Sequence, residues 1–166
     1  MPNAQIAESI LQVPHSRIRE LAEIAMSMDG VLKLYFGESN LPTPEYIKKA
    51  ATQALTDGFT YYTENAGLPS LRRAIAEHYQ QFQDVTLDPA SEIVVTTSGV
   101  QALNVGIRAL LDPGDEALVL TPAWPNGSSI VAMSNAQVRQ IAHPLRGDRY
   151  EVDYDALEAA VTPRTR

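Results

Sequence analysis

Apolar residues recur at helical spacing in three separate stretches of the first half of the chain. The second stretch opens with Thr43-Pro44, a capping hydroxyl followed by proline at the first helical position. A continuous apolar run between the first two stretches is typical of a short strand and stops at Gly37. The pattern therefore predicts helices over residues 16–28, 43–58 and 69–82, and a strand over residues 31–36.

From residue 91 onward the pattern changes to short β-branched runs that alternate with helical periods. The predicted strands cover residues 92–97, 117–120 and 138–142, and the predicted helices cover residues 100–111, 127–134 and 154–161. Strands separated by helices imply a largely parallel sheet with helices on both faces. The fold class predicted for the chain is α/β.

Composition narrows the classes of function that this fold could serve. The chain has 166 residues, 20 Asp and Glu against 13 Lys and Arg, and no Cys. The acidic balance argues against nucleic acid as the main partner, because a protein that binds a phosphate backbone carries a basic face. The absence of Cys removes disulfide frameworks, thiolate metal sites and cysteine nucleophiles. We predict no metal, since the three histidines lie too far apart to indicate a local motif: His15, His78 and His143.

The stretch from Ala117 to Val138 has no charged side chain. It contains Pro122 and Pro125, which would leave backbone groups unpaired in lipid, so it predicts buried protein interior rather than a membrane span. No Lys or Arg precedes the apolar residues 10–13, which argues against a signal peptide. We therefore expect a soluble, cytoplasmic protein with no membrane partner.

The turn from strand to helix in TTSGVQAL (96–103) is a candidate anion site. Ser98 and Gly99 precede a helix whose first N–H groups have no intrahelical acceptors, and such a terminus carries about half a positive charge. Gly99 lets an anion approach the backbone closely, and Ser98 adds a hydroxyl donor. Ligands of open α/β sheets bind at the carboxyl ends of strands, where this turn lies. Taken by itself, Ser-Gly before a helix is more often simple capping.

Trp124 is the only tryptophan and follows the next predicted strand, between the two prolines of TPAWPN (121–126). An indole fixed there could stack on a flat aromatic ligand, a contact worth about 0.5–1.5 kcal/mol beyond the burial of area. The alternative is a tryptophan of the core. Together, the turn and the tryptophan suggest a phosphorylated aromatic ring as the ligand.

Four segments, in this order, give the chain a resemblance to a known family: GESNLPTP (37–44), Tyr62-x4-Gly67-x3-Leu71-Arg72, TSGVQAL (97–103) and LLDPGDEALVLTPAWPN (110–126). From about residue 16 to its end, the chain resembles the N-terminal part of the class I/II aminotransferases of the aspartate aminotransferase kind. These are fold-type-I pyridoxal-phosphate-dependent enzymes. The resemblance implies an incomplete αβα sandwich of the large domain, preceded by a helix and strand segment of the small domain. The implied boundaries are 1–40 for the N-terminal arm and small-domain segment, and 41–166 for the first part of the large domain that binds pyridoxal phosphate.

The resemblance also implies roles for individual residues toward the cofactor pyridoxal 5′-phosphate. Ser98, Gly99 and Val100 would hold its phosphate, mainly through backbone N–H groups, and Trp124 would stack on its pyridine ring. Tyr62 would reach the cofactor phosphate of a neighbouring subunit, which implies a homodimer. Gly37 would lie beside the carboxylate of the substrate, an amino acid or a 2-oxo acid. The remaining family marks are interpreted as structural: Leu71-Arg72 and Asp112-Pro113-Gly114-Asp115.

No residue of this chain matches the lysine that, in the family, forms a Schiff base with the cofactor and shuttles a proton. The lysines are Lys33, Lys48 and Lys49, and none stands in the family's Ser-Lys context. The resemblance therefore implies a family member truncated before its Schiff-base lysine, with no catalytic residue and no transaminase activity of its own. Such a chain is expected to expose unpaired sheet edges and apolar surface.

Other functions stay open on the sequence alone. A non-catalytic module that binds pyridoxal phosphate or phosphate would keep the turn without the lysine, and a decayed gene fragment would have no function. Within the family, a lyase or a carbon–carbon bond-forming synthase would carry the same segments. The identity of the amino acid or 2-oxo acid cannot be read from these residues.

Overall fold

A computed structural model describes residues 5–11 and 13–166, which form seven helices and four short strands. Contacts within the chain divide it into two compact units, residues 17–96 and residues 1–16 with 97–166. The domain boundary at residue 40, which the resemblance implies, refers to the two domains of a whole family member. It stays a prediction. In chain order the elements are α1 (Glu8–Leu11), α2 (Arg17–Met26), α3 (Glu45–Thr56), α4 (Pro69–Gln83), α5 (Gly99–Leu110), β1 (Glu116–Thr121), α6 (Asn126–Met133), β2 (Gln137–Ala142), β3 (Leu145–Arg146), β4 (Arg149–Tyr150) and α7 (Tyr154–Ala160).

The unit that contains residues 97–166 is built around the parallel pair β1 and β2. Helix α6 connects the two strands, as a parallel pair requires, and its Ile130 and Val131 are buried. Ile141 on β2 and Ala160 on α7 are also buried. This β–α–β arrangement confirms the predicted alternation of strands and helices and the α/β class.

A third segment joins this sheet on the other side of β1. Glu116 forms a parallel bridge with Thr165, and its backbone N–H donates to the carbonyl of Arg164 at 2.8 Å. The N–H of Arg166 donates to the carbonyl of Glu116 at 3.1 Å. Strand β1 is therefore flanked on both sides at its first residue.

The unit of residues 17–96 contains the three predicted helices, α2, α3 and α4. Helix α4 has Pro69 in its first turn and ends at Gln83, and the residue after it, Asp84, has a left-handed φ of 54°. Neither α3 nor α4 has a buried residue, and Phe82 of the α4 apolar stripe is 62% exposed. The expected exposure of apolar surface is confirmed for these helices.

Two predicted strands are wrong. Residues 31–36 and 92–97 have no strand hydrogen bonding within the part of the chain that the structure describes. In the second run, the backbone N–H of Val95 donates to the carbonyl of Ala66 at 2.9 Å. A β-branched run becomes a strand only beside a partner strand, and the described residues place none next to either run.

The short hairpin of β3 and β4 was not predicted. Its two-residue strands are too short to show alternation, so the only local signal is Gly147, whose φ of 65° allows the turn.

Candidate functional site

The Ser98 turn, residues 97–101, begins helix α5 through two reciprocal caps. Ser98 is extended (φ −162°, ψ 160°), and its Oγ accepts a hydrogen bond from the backbone N–H of Gln101 at 3.2 Å. The side-chain Oε1 of Gln101 accepts from the Thr97 backbone N–H at 2.8 Å and from the Thr97 hydroxyl at 2.6 Å. This is a variant of the capping box, shifted by one residue on the glutamine side. Gln101 is not among the predicted site residues, although the sequence contains the capping spacing Ser-x-x-Gln.

The first two N–H groups of α5 have no acceptor among the described residues. Gly99 and Val100 donate no hydrogen bond there, whereas the next N–H groups are satisfied by Ser98. A Cβ placed on Gly99 would meet no atom of a more distant residue within 4 Å, so the space beside its Cα is open. Two free N–H donors at a helix N-terminus with open access fit the phosphate of a phosphorylated ligand.

Trp124 lies in the loop between β1 and α6, at the carboxyl end of β1. Its side chain is 52% exposed, so Trp124 is not a tryptophan of the core. The peptide bond between Thr121 and Pro122 in this loop is cis.

A cleft of about 270 Å³ brings the Ser98 turn next to the tryptophan loop. Val100 lines it from the first turn of α5, and Pro125 and Asn126 line it from the residues that follow Trp124. The other lining residues come from the N-terminal segment and α6: Val13, Pro14, Ser16, Ser129, Ile130 and Met133. Ser98, Gly99, Val100 and Trp124 therefore belong to one unit and to neighbouring elements within it.

Tyr62 and Gly37 belong to the other unit, residues 17–96. Tyr62 is fully exposed and lines a cleft of about 290 Å³ with Phe59, Tyr61 and Leu68. Gly37 is exposed, and a Cβ there would meet nothing within 4 Å. The roles predicted for both residues are not tested by these observations and stay predictions.

Arg72 holds together the chain segments around the start of α4. Its guanidinium donates to three backbone carbonyls, from Nε to Gly67 at 3.1 Å and from Nη1 to Pro89 at 2.5 Å and Ala90 at 3.2 Å. Gly67 has φ +94°, and a Cβ on it would lie 2.6 Å from the Cβ of Val95. These contacts support the structural interpretation of the Gly67-x3-Leu71-Arg72 mark.

The turn that follows α4 contains a carboxylate held in its ionised form. The Ser91 hydroxyl donates to Asp88 Oδ2 at 2.5 Å, and the backbone N–H of Ala90 donates to Oδ1 at 2.9 Å. These two hydrogen bonds, the Ser91 bond foremost, lower the pKa of Asp88.

The Asp112–Asp115 mark forms a tight turn before β1. Asp115 Oδ2 accepts from the N–H of Asp112 at 3.0 Å, and Gly114 adopts φ +92°. The backbone N–H of Gly114 donates to the carbonyl of Asn135 at 2.9 Å, which ties the turn to the end of α6. This mark too has a structural role.

The three lysines all lie in the unit of residues 17–96. Lys48 forms an ion pair with Glu45 on α3, with Nζ 2.6 Å from Oε2, and Lys33 and Lys49 are exposed. Among residues 5–11 and 13–166, no group of three or more His, Cys, Asp or Glu side chains could hold a metal ion. No helix in that part of the chain is long and apolar enough to cross a membrane.

Comparison with known proteins gives the same family as the four segments. The model of the family "Aminotransferase class I and II" matches residues 30–166. The chain is 34% identical over 162 residues to an aspartate aminotransferase of Pyrococcus horikoshii, and 29% identical over 161 residues to an aromatic-amino-acid aminotransferase of Thermococcus litoralis. Each alignment covers 97% of this chain and 41% of the relative.

Solved structures agree with the sequence relatives. The crystal structure of the aspartate aminotransferase from Rhizobium meliloti superposes with a TM-score of 0.89 at 35% identity, over 98% of this chain and 41% of that one. The fold is therefore that of the fold-type-I aminotransferases. The chain spans about 41% of the length of the relatives that it matches. With the family model covering residues 30–166, this chain belongs to the class I and II aminotransferases.

Proposed function

We propose that the chain forms part of a pyridoxal-phosphate-dependent aminotransferase that moves an amino group between an amino acid and a 2-oxo acid. The observation that carries the proposal is the Ser98 turn, with the free N–H groups of Gly99 and Val100 inside the segment that the family model matches. The named relatives act on aspartate and on aromatic amino acids, so the amino acid used here stays open.

In this function the chain's own residues bind and orient the cofactor. The N–H groups of Gly99 and Val100 hold its phosphate, and the positive end of the α5 dipole favours the phosphate charge. Trp124, whose side chain is half exposed, provides the indole on which the ring stacks. Bound pyridoxal phosphate supplies the electron sink for chemistry at the substrate carbon. Gly37 lies, on this proposal, beside the substrate carboxylate, where the absence of a side chain leaves the backbone accessible.

We further propose that these 166 residues do not catalyse transamination by themselves. Lys48 is paired with Glu45, and neither Lys33 nor Lys49 stands in the sequence context of the family's reactive lysine. Purified chain, assayed with pyridoxal phosphate, an amino acid and a 2-oxo acid, should give no turnover above the cofactor alone. Turnover that a Lys48→Arg or Lys33→Arg substitution abolishes would contradict this proposal.

The binding proposal can be tested with pyridoxamine 5′-phosphate, which has no aldehyde and so does not react with surface lysines. Trp124 is the only tryptophan, so its fluorescence reports ligand at the proposed platform without background. We expect saturable quenching by pyridoxamine 5′-phosphate and much weaker quenching by pyridoxamine, which lacks the phosphate.

The matched variants are Gly99→Val and Gly106→Val, which add the same side chain to α5 at two positions with open space around them. Only Gly99→Val covers the free N–H groups. It should weaken binding at least about tenfold, equivalent to about 1.4 kcal/mol, while Gly106→Val leaves affinity unchanged. Equal affinities of the two variants would overturn the assignment of the phosphate to the Ser98 turn.

The homodimer is also part of the proposal. Tyr62 is fully exposed beside Phe59 and Tyr61, which are 74% and 89% exposed, and monomers rarely leave such a group of aromatic side chains in water. Sedimentation velocity over a range of concentrations should show reversible association that Tyr61→Ser and Tyr62→Ser together weaken. A strictly monomeric chain at every concentration would count against the homodimer. The cytoplasmic location stays a prediction.

A further inference from the structure

Glu116 is the one charged side chain that the structure buries within the described residues, and its carboxylate is 1% exposed. It lies at the first position of β1, between β2 on one side and residues 162–166 on the other. No local sequence pattern points to Glu116, because the side chains that contact it lie 23 to 48 residues away.

Three side chains from both neighbouring segments converge on this carboxylate and form, with it, the Glu116 cluster. Thr162 Oγ1 donates to Oε2 at 2.7 Å, and Arg164 donates to Oε1 from Nε at 3.0 Å and also from Nη2. Arg139 on β2 donates from Nη1 to Oε2 at 3.4 Å. The hydrogen bonds from Thr162 and Arg164 lower the pKa of Glu116, so the buried group is ionised at neutral pH.

The cluster links side chains to one particular alignment of three chain segments. In that alignment Glu116 is opposite Gln137 on β2 and opposite Thr165 on the other side. A slip of one residue turns every side chain of a strand to the other face of the sheet. After such a slip of residues 162–166, Thr162 and Arg164 would point away, and the carboxylate would stay buried with Arg139 as the one remaining donor among its three partners.

Apolar side chains alone select this alignment poorly. Residues 162–166 read Thr-Pro-Arg-Thr-Arg, and β1 carries apolar side chains at four successive positions, 117–120, so apolar burial alone does little to fix how these two segments align. Buried polar groups are best attested as devices that fix register and partner, at the expense of stability rather than in support of it.

We propose that Glu116 fixes the register in which residues 162–166 pair with β1. The ion pairs of the Glu116 cluster disfavour the slipped alignments, which would leave a buried carboxylate without its donors. Arg164 and Arg139 are 60% and 44% exposed, so either can be hydrated when Glu116 is replaced by an apolar side chain. A Glu116→Leu chain is therefore expected to fold but to lose the preference for one register.

The absence of Cys from the chain allows a direct test with engineered cysteine pairs. Continuing the parallel ladder from Glu116 and Thr165 places Ala117 opposite Arg166. The pair Ala117→Cys with Arg166→Cys reports the native register, and Leu118→Cys with Arg166→Cys reports a slip of one residue. Both pairs remove the same arginine, so the loss of its contact with Asp115 affects them equally. Disulfides form only where the Cα atoms come within about 7 Å in suitable orientation.

With Glu116 present, oxidation should cross-link the native pair and leave the slipped pair mostly reduced. In the Glu116→Leu background the native yield should fall by more than half and the slipped yield should rise correspondingly. Glu158→Leu, which replaces an exposed glutamate on α7, should leave both yields unchanged. Unchanged yields in the Glu116→Leu background would overturn the proposal.

A second background keeps the test decisive if Glu116→Leu does not fold. The double variant Glu116→Leu with Arg164→Leu removes the buried charge and also the arginine that pairs with it. A folded chain is therefore expected from packing alone. Circular dichroism and urea unfolding are measured on the same samples. If this double variant is folded and cross-links only in the native register, Glu116 has merely a stabilising role and the proposal fails.

Discussion

Gly67 occupies a position where two requirements exclude every larger residue. Its φ is +94°, and a Cβ would lie 2.6 Å from the Cβ of Val95. Gly67→Ala should therefore lower the free energy of unfolding by about 1–3 kcal/mol through forced displacement of backbone. Gly58→Ala is the matched control, because Gly58 also has a positive φ (+84°) but has nothing within 4 Å. Urea unfolding followed by circular dichroism should show the larger loss for Gly67→Ala, and equal losses would exclude the contact with Val95 as the cause.

The protonation of Glu116 makes stability depend on pH in a defined direction. Its pKa is lowered in the folded chain, first by the hydrogen bond from Thr162. The stabilisation is therefore present above the carboxyl's ordinary pKa and is lost as the pH falls through the lower folded-state value. Thr162→Val should raise the pKa of Glu116 toward its ordinary value and destabilise the chain at neutral pH.

The pH dependence separates this effect from a simple loss of packing. The stability difference between the Thr162→Val variant and the unchanged chain should be largest at pH 7 and should shrink toward about pH 3, where ordinary carboxyl groups are protonated. Urea unfolding across this range measures the difference. Thr86→Val, which removes an exposed hydroxyl bonded to Gln80, serves as the control. A difference independent of pH would mean that the Thr162 hydroxyl does not act through the ionised carboxylate.

Helices α5 and α7 carry similar caps, which lets the structural and binding roles of Ser98 be separated. Ser98 Oγ accepts from the N–H of Gln101 at 3.2 Å, and Asp153 Oδ1 accepts from the N–H of Ala156 at 2.9 Å. Ser98→Ala and Asp153→Ala should each cost about 1 kcal/mol of stability. Only Ser98→Ala should also weaken the quenching of Trp124 by pyridoxamine 5′-phosphate. Equal effects of both variants on binding would indicate that Ser98 contributes nothing beyond the cap.

The helices from α2 to α7 could be predicted from the sequence because their signals are local, whereas the four-residue α1 was not predicted. The apolar period of α4 and the Ser98 cap of α5 lie within the residues that form them, and the observed ends agree with the predicted ones to within a residue or two. The run 92–97 failed as a strand because pairing depends on a neighbour that its own residues do not specify. Glu116 was not predicted for the same reason, since its partners Arg139 and Arg164 are distant in sequence.

The residues of the candidate site also differ in whether local sequence alone could predict their role. Ser98, Gly99 and Val100 were accessible to sequence reasoning because a helix N-terminus is readable from a capping residue and a glycine. Trp124 could be placed at a strand end, but whether it was core or platform depended on its exposure of 52%, which only the fold provides. For Tyr62 and Gly37 the resemblance alone supplies a role.

The two units of the molecule differ in how well they bury apolar side chains. In the unit containing residues 97–166, helix α6 and strand β2 bury Ile130, Val131 and Ile141. In the unit of residues 17–96, the 12-residue helix α3 and the 15-residue helix α4 have no buried residue. Isolated helices of this length are marginal in water, since tertiary packing supplies most of their stability. The two units should therefore open at different free energies.

Hydrogen exchange measured by mass spectrometry tests this difference directly. The N–H groups of β1, α6 and β2 should be the most protected in the chain, and those of α3 and α4 should exchange close to the rate of an unfolded peptide. If the chain forms the proposed homodimer, association would cover apolar positions of the exposed helices, so their protection would depend on protein concentration. Protection of α3 and α4 should then rise with protein concentration while that of α6 stays constant. Strong protection of α3 and α4 at the lowest concentration would contradict the expected instability, and protection independent of concentration would count against dimerisation through these helices.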